Sequence, residues 1–403
     1  MTIEIRTCTA EEFAAGISPI WQYFGEGPRE ELVANFRRIL PADRINAAFD
    51  DGEVVGSASS YPFQMTIPGG PVATAGITLV GVRPTHRRQG ILSKLMKQLL
   101  EKARDRGEPV AALWVAEEPI YGRFGCGMCS INGEIRIDRG HTRFRKHWER
   151  TLTAKQVESK EALDSFPSVY EQVAPQSPGM LTRTPDWWEV RQLSDEPADR
   201  HGVGPLVRVL FERDGKAAGY ALYSHRTAFI EGRSNSTLEV REAIGVDTAA
   251  TAQVWRYLFD VDLMAQIHAE YMPIDHPLFF LLAEPRRLRF RAQDGIWMRL
   301  VDVELALRAR SYASSEQLVL EVKDDFCPWN DGCYRIEEGE VSRAKDGADL
   351  RLEVRELAST FMGGFSFAQL AAAGLVEELR PGGVACADRL FATATAPWCP
   401  EMF

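Results

Sequence analysis

The sequence lacks the long apolar runs that a membrane span requires. Its longest apolar stretches, such as residues 278–283, fall far short of the roughly 20 residues that cross a bilayer. The first residues alternate polar and apolar types where a signal peptide needs one apolar run. With 45% hydrophobic and 26% charged residues among 403, the chain is predicted to form two or three globular domains. We expect it in the cytoplasm, without a membrane span.

The chain also lacks an excess of basic residues. Its 47 Lys and Arg stand against 57 Asp and Glu, which gives a formal net charge of −10. This balance argues against non-specific binding of nucleic acid and would attract a cationic partner. We therefore expect no nucleic acid among its partners.

Cysteines are few and odd in number. Seven cysteines without a signal peptide predict reduced thiols. Cys126 and Cys129 form a C-x-x-C pair, and Cys327 and Cys333 lie six positions apart, so these four thiolates could in principle form a zinc site. About half the chain separates the two pairs, however, and neither stands near a histidine at ligand spacing. We therefore expect neither a metal nor redox chemistry.

The apolar pattern divides the chain into three regions of mixed α and β structure. Residues 1–140 are predicted to form strands at 46–49, 54–61, 63–67 and 75–82, an amphipathic helix of about 14 residues from Ile91, and a strand at 110–116. Residues 141–290 repeat the order of strand, helix and strand, and Asp247 is predicted to cap the helix. Residues 291–403 form the third region.

The most informative window is ITLVGVRPTHRRQGILS, residues 77–93, where a predicted strand leads through a turn into the amphipathic helix. The unpaired N–H groups at a helix N-terminus favour a phosphate, and Gly90 lets it approach. Residues 83–106 carry eight Lys or Arg and two Asp or Glu. A basic helix face is most often merely solvated, but the position of this one directly after a strand favours an anionic ligand.

These residues resemble the GNAT N-acetyltransferases. The family's pyrophosphate motif, R/Q-x-x-G-x-G/A, matches residues 87–92, and its Tyr-x-x-x-Gly-(Phe/Tyr) segment matches residues 121–126. Leu92 stands where a small residue is usual, and Cys126 where an aromatic is usual. Both elements still occur in the family's order and spacing.

The wider chain resembles the enhanced intracellular survival (Eis) branch of that family. The likeness lies in THRRQGIL at 85–92, IYGRFG at 120–125, the segment 293–313 and the aromatic last residue, Phe403. It implies a GNAT domain at 1–140, a second GNAT-like domain without the cofactor motif at 141–290, and an α+β domain similar to sterol carrier proteins at 291–403. It also implies a homohexamer.

The resemblance implies acetyl-CoA as co-substrate. The predicted contacts share one strand end, the following turn and helix start, and the end of the next strand: Val80, Gly81, Val82, Arg87, Arg88, Gln89, Gly90, Ile91, Leu92, Ser93, Ala116 and Glu117. Tyr121 is the candidate acid that protonates the leaving thiolate. The resemblance further implies that the α-carboxylate of Phe403 is the base. A terminal carboxylate has an ordinary pKa of about 3.3 to 3.7, so this role requires burial or a water relay.

The acceptor is predicted to be a primary amine on a small cationic molecule, similar to an aminoglycoside or a polyamine. The candidate acceptor-site residues are Trp21, Phe24, Glu26, Phe36 and Glu401. His86 is interpreted as a residue that caps the turn or faces solvent, not as a base. Two alternatives stay open: acetylation of protein lysines or N-termini, and a lipid-binding protein that senses CoA.

Overall fold

The computed structural model describes residues 3–23, 27, 29–345 and 347–403. The chain divides into two compact units. The first comprises Met1–Ser130, Gly295–Pro397 and Met402–Phe403, and the second comprises Ile131–Asp294 and Trp398–Glu401. Among the described residues, no helix is long and apolar enough to cross a membrane.

The described chain combines helices with runs of consecutive strands. The elements before residue 131 are β1 (Glu4–Thr7), α1 (Phe13–Ile17), α2 (Glu30–Ile39), β2 (Ile45–Asp50), β3 (Glu53–Ile67), β4 (Gly70–Val82), α3 (Ile91–Asp105), β5 (Val110–Leu113), α4 (Glu118–Tyr121) and β6 (Gly127–Met128). Those of the second unit are β7 (Ile131–Asp138), β8 (Thr153–Gln156), α5 (Ser159–Val173), α6 (Pro185–Trp187), β9 (Val207–Arg213), β10 (Lys216–Arg226), β11 (Phe229–Ile230), β12 (Arg233–Ser234), β13 (Ser236–Gly245), α7 (Thr248–Asp260), β14 (Met264–Pro273), α8 (Leu278–Leu281) and β15 (Arg291–Asp294). The remaining ones are β16 (Trp297–Leu300), α9 (Val303–Ala309), β17 (Leu318–Lys323), β18 (Gly332–Glu337), β19 (Glu340–Ala344), β20 (Leu350–Glu353), α10 (Val354–Phe361), α11 (Phe367–Ala372), β21 (Val376–Glu378) and α12 (Gly383–Phe391).

The first unit contains a seven-stranded sheet in the order β1-β2-β3-β4-β5-β16-β6. Strands β4 and β5 are parallel and are joined by α3, which buries the predicted apolar face, including Leu95, Leu99 and Ala103, against the sheet. The two strands pair only where Thr74–Gly76 meets Val110–Ala112. Because β4 continues to Val82 without this partner, a cleft opens between the strand ends.

The second unit is built around another seven-stranded sheet, in the order β15-β7-β14-β13-β10-β9-β8. Its parallel pair, β13 and β14, is joined by α7, so the strand, helix and strand order predicted from the sequence is present here too. Strand β7 follows β6 in the chain but belongs to this second sheet, whereas β16 belongs to the first. The apolar pattern of the sequence does not predict this exchange of strands between the two sheets.

The last segment forms a five-stranded sheet, β19-β18-β17-β20-β21, with helices α9 to α12. Helix α10 buries Leu357, Ala358 and Phe361. This part belongs to the first compact unit together with the first sheet.

Some predicted element bounds are corrected by the structure. The strands predicted at 54–61 and 63–67 are one strand, because Pro62 keeps its register opposite Ala75 and the ladder with β4 continues on both sides. The strand predicted at 110–116 ends at Leu113, where its pairing with β16 ends as well.

Candidate active site

The N-terminus of α3 is open. Its N-cap residue, Gly90, has φ +76° in the left-handed region, and no side chain among the described residues caps the helix. A Cβ placed on Gly90 would meet nothing within 4 Å. The first N–H groups of the helix have no intrahelical partner, and they lie at the positive end of its dipole. This helix end is therefore suited to hold a phosphate group.

A cavity of about 460 Å³ lies at this helix end. It is lined by Ile20, Tyr23, Val80, Gly81, Val82, His86, Arg87, Arg88, Gly90, Ile91, Leu92, Ser93, Ala116, Glu117, Ile120, Tyr121 and Arg123. Every predicted cofactor contact except Gln89 is among them, and so is Tyr121. The structure thus brings the strand end, the helix start and the candidate acid to one cleft.

Tyr121 lies in this wall with its side chain half-buried. Burial raises the pKa of its phenol to about 12, and the neighbouring Cys126 and Glu117 act in the same direction. The phenol is therefore protonated at neutral pH. Such a group can donate a hydrogen bond or a proton to an anion that forms in the cleft.

Tyr23 is a cleft residue that the sequence analysis missed. Its hydroxyl accepts a hydrogen bond from Arg87 Nε at 2.9 Å and donates one to the carbonyl of Val82. The Arg87 guanidinium also lies over its ring, 4.6 Å from the centroid. Residues 18–23 reach β4 because Gly81 has no side chain: a Cβ there would lie 3.0 Å from the Cα of Ile20. The contact between residues 18–23 and β4 depends on tertiary packing, so no local sequence pattern predicts it.

His86 lines the cleft, but both of its ring nitrogens are engaged. Nε2 lies 3.1 Å from Asp50 Oδ2, and Nδ1 lies 2.8 Å from Thr85 Oγ1. The side chain thus ties the turn before α3 to β2. This placement agrees with the interpretation of His86 as a turn residue.

Among the predicted acceptor-site residues, Trp21 and Phe36 contact each other edge to face, with centroids 6.1 Å apart. Phe36 is buried. Phe24 and Glu26 lie outside the described residues. The structure thus gives this pair a packing role, and neither residue is among those that line the cleft at the start of α3.

Glu401 has a different environment from the one expected. Its side chain is fully buried in the second unit, where Arg183 Nε donates to it at 2.6 Å and the Tyr170 hydroxyl at 3.1 Å. Arg183 also forms a buried ion pair with Glu242 at 2.6 Å. Because its carboxylate is committed to this network, we leave Glu401 out of the acceptor site.

Phe403 is packed, unlike a frayed terminus. Its ring contacts Phe63 of β3 edge to face, with centroids 4.9 Å apart, and the residue is partly buried. The preceding Met402 is 58% exposed. The last residue therefore has a defined place on the first sheet.

The second unit offers a contrasting helix end. Asp247 caps α7 as predicted: its carboxylate accepts a hydrogen bond from Ala250 N at 2.7 Å and pairs with Arg213 at 2.7 Å. These contacts, led by the hydrogen bond from Arg213, lower the pKa of Asp247. The negative carboxylate thus occupies the helix end at which a phosphate would otherwise lie.

A parallel strand pair that splays beside an open helix end, with a protonated tyrosine in the same cleft, defines a GNAT acetyltransferase domain. Residues 4–129 match the model of an acetyltransferase (GNAT) domain, and residues 179–301 match a second model of that description. Residues 303–400 match the model of a sterol carrier protein domain. The predicted order of two GNAT domains and a sterol-carrier-like domain is confirmed.

The chain belongs to the Eis-like N-acetyltransferases. It is 37% identical to an uncharacterized N-acetyltransferase of Streptomyces coelicolor over the whole of both chains. It is 32% identical to N-acetyltransferase Eis of Mycobacterium tuberculosis, with 85% of each chain covered. The crystal structure of Eis1 from Mycobacterium abscessus superposes with a TM-score of 0.86 at 30% identity, covering 99% of this chain and 100% of that one.

These matches confirm that the protein is an acetyltransferase enzyme, and its GNAT domains imply acetyl-CoA as the co-substrate. A GCN5-related N-acetyltransferase from Anabaena variabilis, at 20% identity and a TM-score of 0.85, shares the fold over 100% of both chains.

Proposed function

We propose that this enzyme transfers the acetyl group directly from acetyl-CoA to a primary amine of a small cationic molecule. The observation that carries the proposal is the open N-terminus of α3 in one cleft with the protonated Tyr121. The basic segment 83–106 suits the anionic donor. The net charge of −10 for the whole chain suits a cationic acceptor.

Different residues of the cleft are proposed to bind different parts of acetyl-CoA. The free N–H groups of the first turn of α3, with Arg87 and Arg88 beside them, fit the pyrophosphate. The edge of β4 at Val80–Val82, which has no pairing with β5, offers backbone groups to the extended pantetheine arm. When bound, acetyl-CoA supplies the thioester carbonyl that the amine attacks and the thiolate that leaves.

Two groups of the chain handle the protons of this transfer. Tyr121 donates its phenolic proton to the departing sulfur. The α-carboxylate of Phe403 accepts the proton that the attacking ammonium must lose, either directly or through water. The packing of Phe403 against Phe63 supports this role, because it fixes the chain end on the first sheet.

The proposal is tested by the release of thiol from acetyl-CoA with a panel of amines that includes polyamines, aminoglycosides and a lysine peptide. We expect transfer to the small amines. Tyr121→Phe should lower kcat by about 100-fold, because proton transfer contributes that much to such reactions, with little change in the affinity for CoA. Transfer to the peptide alone would overturn the proposed acceptor class.

A chain extended by two residues beyond Phe403 tests the base separately. The α-carboxylate then moves to a new residue, so we expect a loss of kcat that steepens at low pH. Full activity in the extended chain would exclude the terminal carboxylate as base and leave the role of Tyr121 intact. The hexameric state implied by the family resemblance stays a prediction, and light scattering of the purified enzyme checks it.

A further inference from the structure

The second unit has a cleft that the acetyl transfer does not use. It measures about 700 Å³ and lies beside α7. It is lined by Arg143, Phe144, Arg145, Lys146, His147, Trp148, Arg150, Leu152, Ala154, Phe211, Gln253, Arg256, Tyr257 and Asp260. The lining thus combines five Lys or Arg side chains and several aromatic rings with a single carboxylate.

One wall of the cleft is the segment 142–152, which is held along α7 at both ends. Arg256 donates to the Thr142 carbonyl at 2.8 Å. The Gln253 side-chain oxygen accepts hydrogen bonds from the N–H groups of Thr151 and Leu152, at 2.8 and 3.0 Å. These contacts give the wall a fixed conformation although it is neither helix nor long strand.

The apolar part of the cleft comes from this segment, from α7 and from β9. Phe144, Trp148 and Leu152 all pack against the core of the second unit. Tyr257 of α7 and the buried Phe211 of β9 meet edge to face at 5.3 Å and form part of the same wall. Within the described chain, the buried Nε1 of Trp148 has no hydrogen-bond acceptor. A buried unmet donor costs about 1–3 kcal/mol, so an acceptor on a ligand would relieve it.

The cations of the lining stand beside these apolar residues: Arg145 Nε donates to the Leu282 carbonyl at 3.0 Å, and Lys146 Nζ lies 4.5 Å from the centroid of the Trp148 ring. Arg143, Arg145 and Lys146 are exposed, and none of them forms an ion pair with any described carboxylate. The one acidic group of the lining, Asp260, is already neutralised by Arg256 at 2.9 Å and Arg150 at 3.8 Å. In a chain of net charge −10, a patch of uncompensated cations is a local exception. It attracts an anion.

We propose that this cleft binds a small aromatic phosphate of the nucleotide class. Cations already lie over two of the rings, Lys146 Nζ at 4.5 Å from the Trp148 centroid and Arg256 at 5.3 Å from that of Phe144. The remaining ring surface, with that of Tyr257, would take a base, and the guanidinium groups provide paired donors for phosphate oxygens. We expect tight binding to need both the aromatic rings and the cations of the cleft, because attraction by the cations alone is weakened by water and salt.

The probes that separate the two halves are ATP, inorganic tripolyphosphate and adenosine. We expect ATP to bind more tightly than either of the other two by at least about tenfold, as measured by calorimetry. The α3 cleft also accepts phosphates, so the titrations are done on the wild type and on Gly90→Asp, in which that cleft carries its own carboxylate. Tripolyphosphate binding equal to that of ATP would show simple counter-ion attraction and overturn the proposal. So would equal binding of adenosine.

Matched charge reversals test the location. Lys146→Glu with Arg150→Glu removes two cations of the cleft, and we expect ATP binding at this site to weaken by about tenfold or more. Lys160→Glu with Arg233→Glu makes the same change of charge at two exposed residues outside the cleft lining and should leave binding unchanged. An equal loss in both variants, or in neither, would overturn the assignment of the site. Trp148→Phe should remove an ATP-dependent change in tryptophan fluorescence.

Discussion

The two parallel strand pairs of this protein share one topology and differ at one junction. Eight residues, 83–90, connect β4 to α3, and they end in a left-handed glycine with no side-chain cap. Only Val246 and Asp247 connect β13 to α7, and the carboxylate of Asp247 occupies the helix end. The same topology therefore leaves the helix end open in one unit, whereas a carboxylate occupies it in the other.

The cavities beside the two strand pairs differ in the same sense. The first measures about 460 Å³, whereas the one between the ends of β13 and β14 measures about 20 Å³. Trp398 and Pro400 line the small one, and the Trp398 indole donates to the Tyr271 carbonyl. A segment near the chain end thus takes up space that a ligand would need in the second unit.

The largest effect is expected from removing Arg183, which holds the segment Trp398–Glu401 through its buried ion pair with Glu401. Arg183→Leu leaves the buried carboxylates of Glu242 and Glu401 without their partner, which should lower the free energy of unfolding by about 3–5 kcal/mol. Urea denaturation followed by tryptophan fluorescence measures it. The control, Arg139→Leu, removes an exposed pair with Asp262 and should cost at most about 1 kcal/mol. Equal costs in the two variants would contradict the anchoring role.

The next effect comes from copying the cap of α7 onto α3. In Gly90→Asp a carboxylate lies where the pyrophosphate is proposed to bind, so kcat/KM for acetyl-CoA should fall by about 100-fold, equivalent to about 2.7 kcal/mol. Gly90→Asn is the control, because asparagine tolerates the left-handed conformation and carries no charge. Steady-state kinetics of thiol release measures both. A similar loss with asparagine would attribute the effect to shape and not to charge.

The smallest effect is expected at α7 itself. Asp247→Asn should lower the free energy of unfolding by about 1 kcal/mol at pH 7, because a capping carboxylate and its pair with Arg213 are weakened. It should not create binding of acetyl-CoA, since the neighbouring cavity remains small.

The difference in the free energy of unfolding between the wild type and Asp247→Asn should depend on pH, because the pKa of Asp247 is lowered in the folded state. The stabilisation is fully present above the unfolded pKa of about 3.9 and is lost as the pH falls through the lower folded value. Urea denaturation of wild type and variant should therefore give curves that converge at low pH. A difference that persists there would show that Asp247 acts through packing.

Features set by neighbouring residues could be predicted from the sequence. The amphipathic α3 and the cap at Asp247 each depend on a spacing of a few residues, and the position of Gly90 follows from a strand that leads through a turn into a helix. The environments of Tyr23, Trp398 and Glu401, the last of which is predicted at the acceptor site, could not be read from the sequence, because their partners lie far away in the chain. Glu401 and Arg183, for example, are 218 positions apart.

Strand β16 has a consequence for how the protein is made. It lies between β5 and β6 in the first sheet. This sheet can therefore be completed only after residues 297–300 have been synthesised, more than 160 residues after β6. Until then β5 presents an unpaired edge, the kind of surface at which nascent chains associate wrongly. A fragment that stops after the first GNAT match at residue 129 would keep that edge permanently. The first GNAT domain is therefore contiguous as a sequence match, but its sheet includes a strand from residues 297–300.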